Sequence, residues 1–410
     1  MQIEEVQWSR ELELFSILSE NFNRKILTLI LDEPFKKDNT RYLNHFRNSS
    51  LIPLSKTLTP RLFEVSDYVL KKLSPDVPIT VYLTHDPRIN ALSIPRGIDE
   101  DSHAIILNSG IVNWFNENEL EFVIGHETGH LIFEHHSMDS LLQYIYPEKK
   151  TPPYIENRWT VWRQCSEITS DRVGLLACDS FEDAVSVMVT LYSGVRKEKM
   201  GFTFSTALEN IYQEAENEAL YRHFEEKDHP PIPSRIKALK QFSDYMEGGI
   251  GNEDLDRQME DLFLHIINRP LSDYERLYIA FLFASGTIIA GTDGVTNENE
   301  KNFLLNRISQ YIYIGNINID ISEHQKEQFI EDISELSEII KKKYPDKLEE
   351  IFLDLSVLAF IDGKMISDNE VEALTNIGKN YLGLKNEQMF DSMRKVIQSS
   401  FYTPYSSQKK

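Results

Sequence analysis

The stretch Glu119-Leu-Glu-Phe-Val-Ile-Gly-His126-Glu127-Thr-Gly-His130-Leu-Ile-Phe-Glu134 decides how the rest of this chain is read. Asn116 or Asn118 offers an N-cap, Glu119 and Glu121 suit a first turn, and Leu120, Val123 and Ile124 supply an apolar face, so a helix is predicted. Within it, His126-Glu127-Thr128-Gly129-His130 fits H-E-x-x-H. Residues four apart on a helix share a face one turn from each other, so both imidazoles can reach a single zinc ion. Glu127 follows the first histidine directly and can take a proton from a water that attacks a carbonyl.

Downstream, residues 156–178 read as a second helix carrying Glu167-Ile-Thr-Ser-Asp171-Arg-Val-Gly174. Catalytic zinc takes three protein ligands and keeps one position open, and Glu167 can be the third. Asp171, one turn further on, can accept a hydrogen bond from the outer nitrogen of a ligand histidine and fix its tautomer. Gly174 allows a close helix approach. Upstream, Ile79–Leu83, Ala91–Ile94 and His103–Leu107 read as strands, and a sheet edge beside the metal can hold an extended peptide by its main chain. Two helices are expected in residues 1–50, broken near Asp32–Asn39, and another in Pro60–Leu73. Residues 185–220 read as helical and as a wall of the cleft.

With 410 residues, 26% charged and 41% hydrophobic, the chain is long enough for two or three domains with real cores. A formal net charge of -22 disfavours nucleic acid as a partner, since phosphate binding needs a basic surface. Cys165 and Cys178 make no disulfide framework, which points to a cytoplasmic setting. The first ten residues are acidic and lack an apolar core, so no signal peptide is expected. The longest uncharged run, Leu277–Thr292, is short for a transmembrane segment and reads as a buried core helix, leaving only peripheral membrane contact open.

Four motifs in order carry a family resemblance: Asn90-Ala91-Leu-Ser-Ile-Pro95, His126-Glu-Thr-Gly-His130, Glu167-x-x-x-Asp171-Arg-x-Gly174 and His229-Pro-Pro-Ile-Pro-Ser-Arg235. Together they resemble the gluzincin peptidases that include HtpX and the CAAX prenyl endopeptidase, over roughly residues 50–245. Membrane helices typical of those two are not evident, and Leu92 stands where Phe is common. The resemblance implies one Zn2+ per chain on His126, His130 and Glu167, Glu127 as general base and Asp171 behind the ligands. It also implies that Asn90 and Ala91 lie on the substrate-binding strand, and that His229 and Arg235 stabilise the oxyanion or organise the cleft. His135 falls where the family often has a histidine; it and His136 are read as structural or solvent-facing.

Beyond Gly248-Gly-Ile-Gly251-Asn252 the chain changes character. Two apolar helices each end in an Asp-Gly turn, Asp293-Gly294 and Asp362-Gly363, followed by Thr or Ser and a new acidic helix start. This resembles the TerB-like all-helical domain, read as a docking or sensing module for a protein partner. The expected fold is therefore mainly α (α+β): an N-terminal helical segment (1–50), a zincin-type metallopeptidase domain with a small edge-stranded sheet (51–247) and a TerB-like all-helical domain (254–405). The expected function is a zinc-dependent endopeptidase acting on protein or peptide substrates. The alternative is a latched or inactive zinc protein that works as a regulatory or scaffold module through its C-terminal domain, with His229 as a fourth ligand.

Overall fold

A computed structural model describes residues 3–20, 24–48, 51–98, 100–146, 153–196, 199, 229–267, 271–292, 298–309, 311–312, 323–361 and 367–406. The chain divides into two units, residues 1–151 with 158–268 and residues 152–157 with 269–410. Both are dominated by helices, and the first also holds a small mixed sheet.

In the first unit the sheet runs in the order β1-β2-β4-β3, from β1 (Ile52–Pro53), β2 (Ile79–Thr84), β3 (Ala91–Ile94) and β4 (His103–Asn108). Strands β2 and β4 are parallel, pairing Val81 with Ile105, while β3 lies antiparallel to β4 at the edge, pairing Leu92 with Ile106. Ala104, Ile105, Ile106 and Leu107 of β4 are all buried, as a central strand covered on both faces requires. The short β1 strand was not foreseen, because two residues ending in proline carry no strand pattern.

Helices α1 (Ser9–Glu20), α2 (Arg24–Ile30) and α3 (Lys36–Asn48) precede the sheet. The expected break near Asp32–Asn39 is instead a π-helical turn, Leu31–Phe35, that runs straight into α3. Pro34 lies inside this turn and has no N–H to give, so the hydrogen-bond ladder widens without ending. After α4 (Pro60–Leu73) and α5 (Ser109–Trp114), Asn116 caps α6 (Glu117–Ile132) in a full capping box with Glu119. Helices α7 (His135–Ile145), α8 (Pro153–Cys178, from residue 158 on), α9 (Phe181–Ser193), α10 (Ile232–Met246) and α11 (Asn252–Ile267) complete the unit. The part of the 185–220 helical expectation beyond residue 199 lies outside the described residues. Gly249 donates to the Asp244 carbonyl at 2.7 Å, closing the turn after α10. Helix α11 then packs back on α10, burying Leu255, Met259 and Leu262.

Helices α6 and α8 cross with their backbones almost touching. A Cβ on Gly125 would lie 2.5 Å from the Ala177 Cβ and 3.0 Å from the Gly174 Cα. One on Gly129 would lie 3.1 Å from the Ser170 Cα, and one on Gly174 would lie 2.9 Å from the Phe122 carbonyl oxygen.

The second unit is an all-helical body. Helices α12 (Asp273–Ala290), α13 (Glu298–Ile308), α14 (Glu323–Lys343), α15 (Leu348–Phe360), α16 (Asp368–Asn376) and α17 (Asn386–Ser406) enclose a core that includes Phe281, Leu282, Leu304, Ile340, Phe352 and Leu355. The apolar run at 277–292 supplies α12, whose Phe281, Leu282, Ile289 and Ala290 are buried in that core. Among the described residues no helix is long and apolar enough to cross a membrane. The two Asp-Gly turns lie outside the described residues.

Gly174→Ala is expected to force α6 and α8 apart and to destabilise the protein by about 1–3 kcal/mol, the usual cost of overpacking. Thermal unfolding of the metal-free protein should show a lowered midpoint; an unchanged midpoint would mean the crossing is looser than the contacts imply.

Candidate active site

Because α6 and α8 touch, side chains one turn apart on each helix meet between them. His126 Nε2 and His130 Nε2 are 3.1 Å apart. Glu167 of α8 brings Oε2 to 3.7 Å from the first and Oε1 to 3.5 Å from the second. Ligand atoms at zinc distances, about 2.0–2.1 Å from the ion in a tetrahedral site, are separated by roughly 3.3 Å. The three observed spacings bracket that value, and two imidazoles with one carboxylate are donors zinc accepts. These residues therefore fit the ion. Glu127 lies in the same cleft of about 590 Å3, whose lining also includes Asn90, Ala91, Ile111, Phe122, Val123, Val187, Met188, Leu191, His229 and Arg235.

Residues 64–148 match the model of Peptidase family M48. The match runs from α4 into the stretch after α7 and takes in Asn90, His126, Glu127 and His130. It supports a zinc metallopeptidase. No curated protein and no solved structure matches the chain.

Glu167, Asp171, His229 and Arg235 lie outside the part matched to family M48, and tertiary packing brings them to it. Asp171 Oδ1 lies 3.0 Å from His126 Nδ1, on the far side of the ring from the ligand atom. Arg235 grips the same carboxylate with Nε at 2.8 Å and Nη2 at 2.6 Å, and its Nη2 is 3.3 Å from Glu167 Oε2. His229 Nδ1 is 3.0 Å from Glu167 Oε2, and its side chain is 55% exposed.

The electrostatics follow from these contacts. Burial pushes the Glu167 carboxyl up, but Arg235, His229, His130 and His126 together hold it well below the usual carboxylate range. Burial drives His130 well below the ordinary histidine value, leaving a neutral ring with a lone pair to offer. His126 is raised in spite of burial, because Asp171 favours its protonated form. Arg235 is raised as well: burial opposes its charge, and Asp171 and Glu167 outweigh it.

Glu127 is raised by burial, which suits a group that must accept and return a proton. Ser93 of β3 opposes that rise by donating to Glu127 from both its hydroxyl and its backbone N–H. The Ser93 hydroxyl lies 3.0 Å from His136 Nε2, and burial pushes His136 down to about 4, keeping it neutral. His135 is 3% exposed and its Nδ1 lies 2.9 Å from His130 Nδ1.

Neither histidine is solvent-facing: both belong to the layer behind the site. Ser93 is a site residue that the sequence motifs do not single out. Its signal was a polar side chain at a buried position of an edge strand beside the metal helix.

Ser93 lowers the Glu127 pKa, so Ser93→Ala should raise it and move the acidic limb of the kcat/KM–pH profile to higher pH, with activity above that limb retained. A limb left at its wild-type pH would show that Ser93 does not tune Glu127.

Proposed function

We propose that this chain is a zinc-dependent endopeptidase of the gluzincin type, related to HtpX and the CAAX prenyl endopeptidase. One observation carries the reading: His126, His130 and Glu167 converge at zinc-ligand spacing inside a cleft that also presents Glu127. Zinc bound there supplies Lewis acidity and lowers the pKa of a water.

In this reading Glu127 takes the proton from the attacking water and returns it to the leaving amine. Asp171 holds His126 in the tautomer that frees Nε2, and Arg235 binds Asp171 and neutralises part of the carboxylate charge around the site. His229, exposed at the rim, can swing from Glu167 toward the oxyanion. Asn90 and Ala91, at the start of edge strand β3, would hold an extended peptide by main-chain hydrogen bonds. Ile111, Phe122, Val187 and Met188 give the cleft apolar walls for a substrate side chain.

The C-terminal helical unit is read as a TerB-like module for a protein partner. Support comes from α16, which starts with Ser367 and Glu370 in a capping box directly after the Asp362-Gly363 stretch. A cytoplasmic setting rests on Cys165 and Cys178, both buried and unpaired.

Glu127→Gln is expected to keep zinc bound while cleavage of an unfolded protein such as casein falls by about 10^2- to 10^4-fold, the scale of general acid–base catalysis. Metal content and proteolysis measured on the same preparation check it, and retained proteolysis would sink the mechanism.

The His229–Glu167 contact also favours a second reading, in which His229 latches the site as a fourth ligand and the protein acts as a scaffold. The two readings oppose each other in His229→Ala. The peptidase reading expects kcat to fall, by about 10^2- to 10^3-fold for a lost oxyanion donor. A rise in cleavage would establish the latch instead.

A further inference from the structure

The N-terminal helix α1 carries a carboxylate where none is expected. Glu11 is 1% exposed, within the core, and a charge buried so deeply is costly unless it is hydrogen-bonded. Its Oε1 accepts from Gln7 Nε2 at 2.9 Å and lies 3.1 Å from His135 Nε2. The chain leading into α1 is itself tied to α8, two and five residues past Glu167. Trp8 N–H donates to the Thr169 hydroxyl at 3.2 Å, and Arg172 Nη1 donates to the Val6 carbonyl at 3.3 Å. Glu11 is thus held in place relative to the helix that carries the third ligand.

The donor and acceptor roles can be followed inward from this carboxylate. An ionised carboxylate only accepts, so His135 Nε2 carries the proton. His135 Nδ1 faces His130 Nδ1 at 2.9 Å, so one of the two donates; a His130 that offers Nε2 to the metal carries its proton on Nδ1 and is the donor, and His135 Nδ1 accepts. With its proton on Nδ1, His130 presents the Nε2 lone pair toward His126 Nε2 and Glu167. The reverse tautomers would put a proton where the metal binds.

We propose that Glu11 is a positioning residue for the metal centre, acting through His135 to fix His130 as an Nε2 ligand. The relay rests on the zinc reading above and extends it. It makes α1, which lies outside the 64–148 match to family M48, part of the metal site. His126 has its orienting carboxylate in Asp171, on α8; His130 has its own at one remove, in Glu11.

The test is zinc affinity of the full chain, measured by competition with a chelator, with the visible spectrum of the cobalt-substituted protein as a report on ligand geometry. Glu11→Ala is expected to weaken zinc by about 10- to 100-fold, the range for lost hydrogen bonds behind a metal ligand, and to alter the cobalt spectrum. Glu11→Gln, whose amide oxygen accepts the same hydrogen bond, should recover most of the loss. Glu13→Gln, on the same helix but half exposed, should match the wild type.

Should Glu11→Ala fail to fold, histidine-selective 15N spectra of the zinc-loaded wild type decide the matter. His135 must carry its proton on Nε2 and His130 on Nδ1. Either ring in the opposite tautomer, a folded Glu11→Ala within twofold of wild-type affinity, or a Glu11→Gln as weak as Glu11→Ala overturns the relay. Wild-type protein that binds no zinc overturns the metal centre itself, and is thereby told apart from a failure of the relay alone.

Discussion

Contact between the α6 and α8 backbones is the constraint on which the candidate site depends. Gly125 and Gly174 leave no room for a Cβ at the crossing, and Gly129 leaves little. Side chains on ordinary packed helices, with axes 8–10 Å apart, point past one another at the interface. Here the glycines sit on the inner faces, so His126, His130 and Glu167, flanking the contact, turn toward a common point. Spacing along α6 sets the distance between the two histidines; the glycine contact sets the distance from both to the glutamate.

Charge is concentrated there, and Arg235 balances part of it. Glu127, Glu167 and Asp171 face a shared interior, and Arg235 pairs with two of them. Leaving that much carboxylate charge in a buried site is unfavourable unless more positive charge arrives, and a divalent ion would supply it. Arg235 and His229 both approach Glu167 through Oε2, at 3.3 and 3.0 Å, while Oε1 lies 3.5 Å from His130 Nε2. The raised pKa of buried Glu127 and the lowered one of Glu167 give two carboxylates on neighbouring helices different roles, through environment alone.

Behind this layer lies another that no single motif contains. Ser93 from the edge strand restrains Glu127, His136 meets Ser93, and His135 joins His130 to Glu11. The elements involved come from the N-terminal helix, the sheet and the two helices of the metal stretch. A buried polar network of this kind costs stability where a member lacks a partner, and the partners found here come from separate parts of the chain.

By itself the sequence determined that α6 is a helix, that two histidines one turn apart share its face, and that Glu127 stands beside them. Those are local facts, fixed by a 3.6-residue period, a capping box at Asn116 and the order of side chains. It also determined the strands β2, β3 and β4 and the apolar α12, whose patterns are strong over short windows. Tertiary structure alone decided the rest. The π turn at Pro34 and the grouping of α11 with α10 depend on packing that no window sees. The meeting of Glu167, Asp171 and Arg235, and the joining of Glu11 to His135 across 124 residues, came from helix contact and core burial. Periodicity carries the direction in which a residue faces along its own element. What stands opposite it is set only when the chain closes on itself.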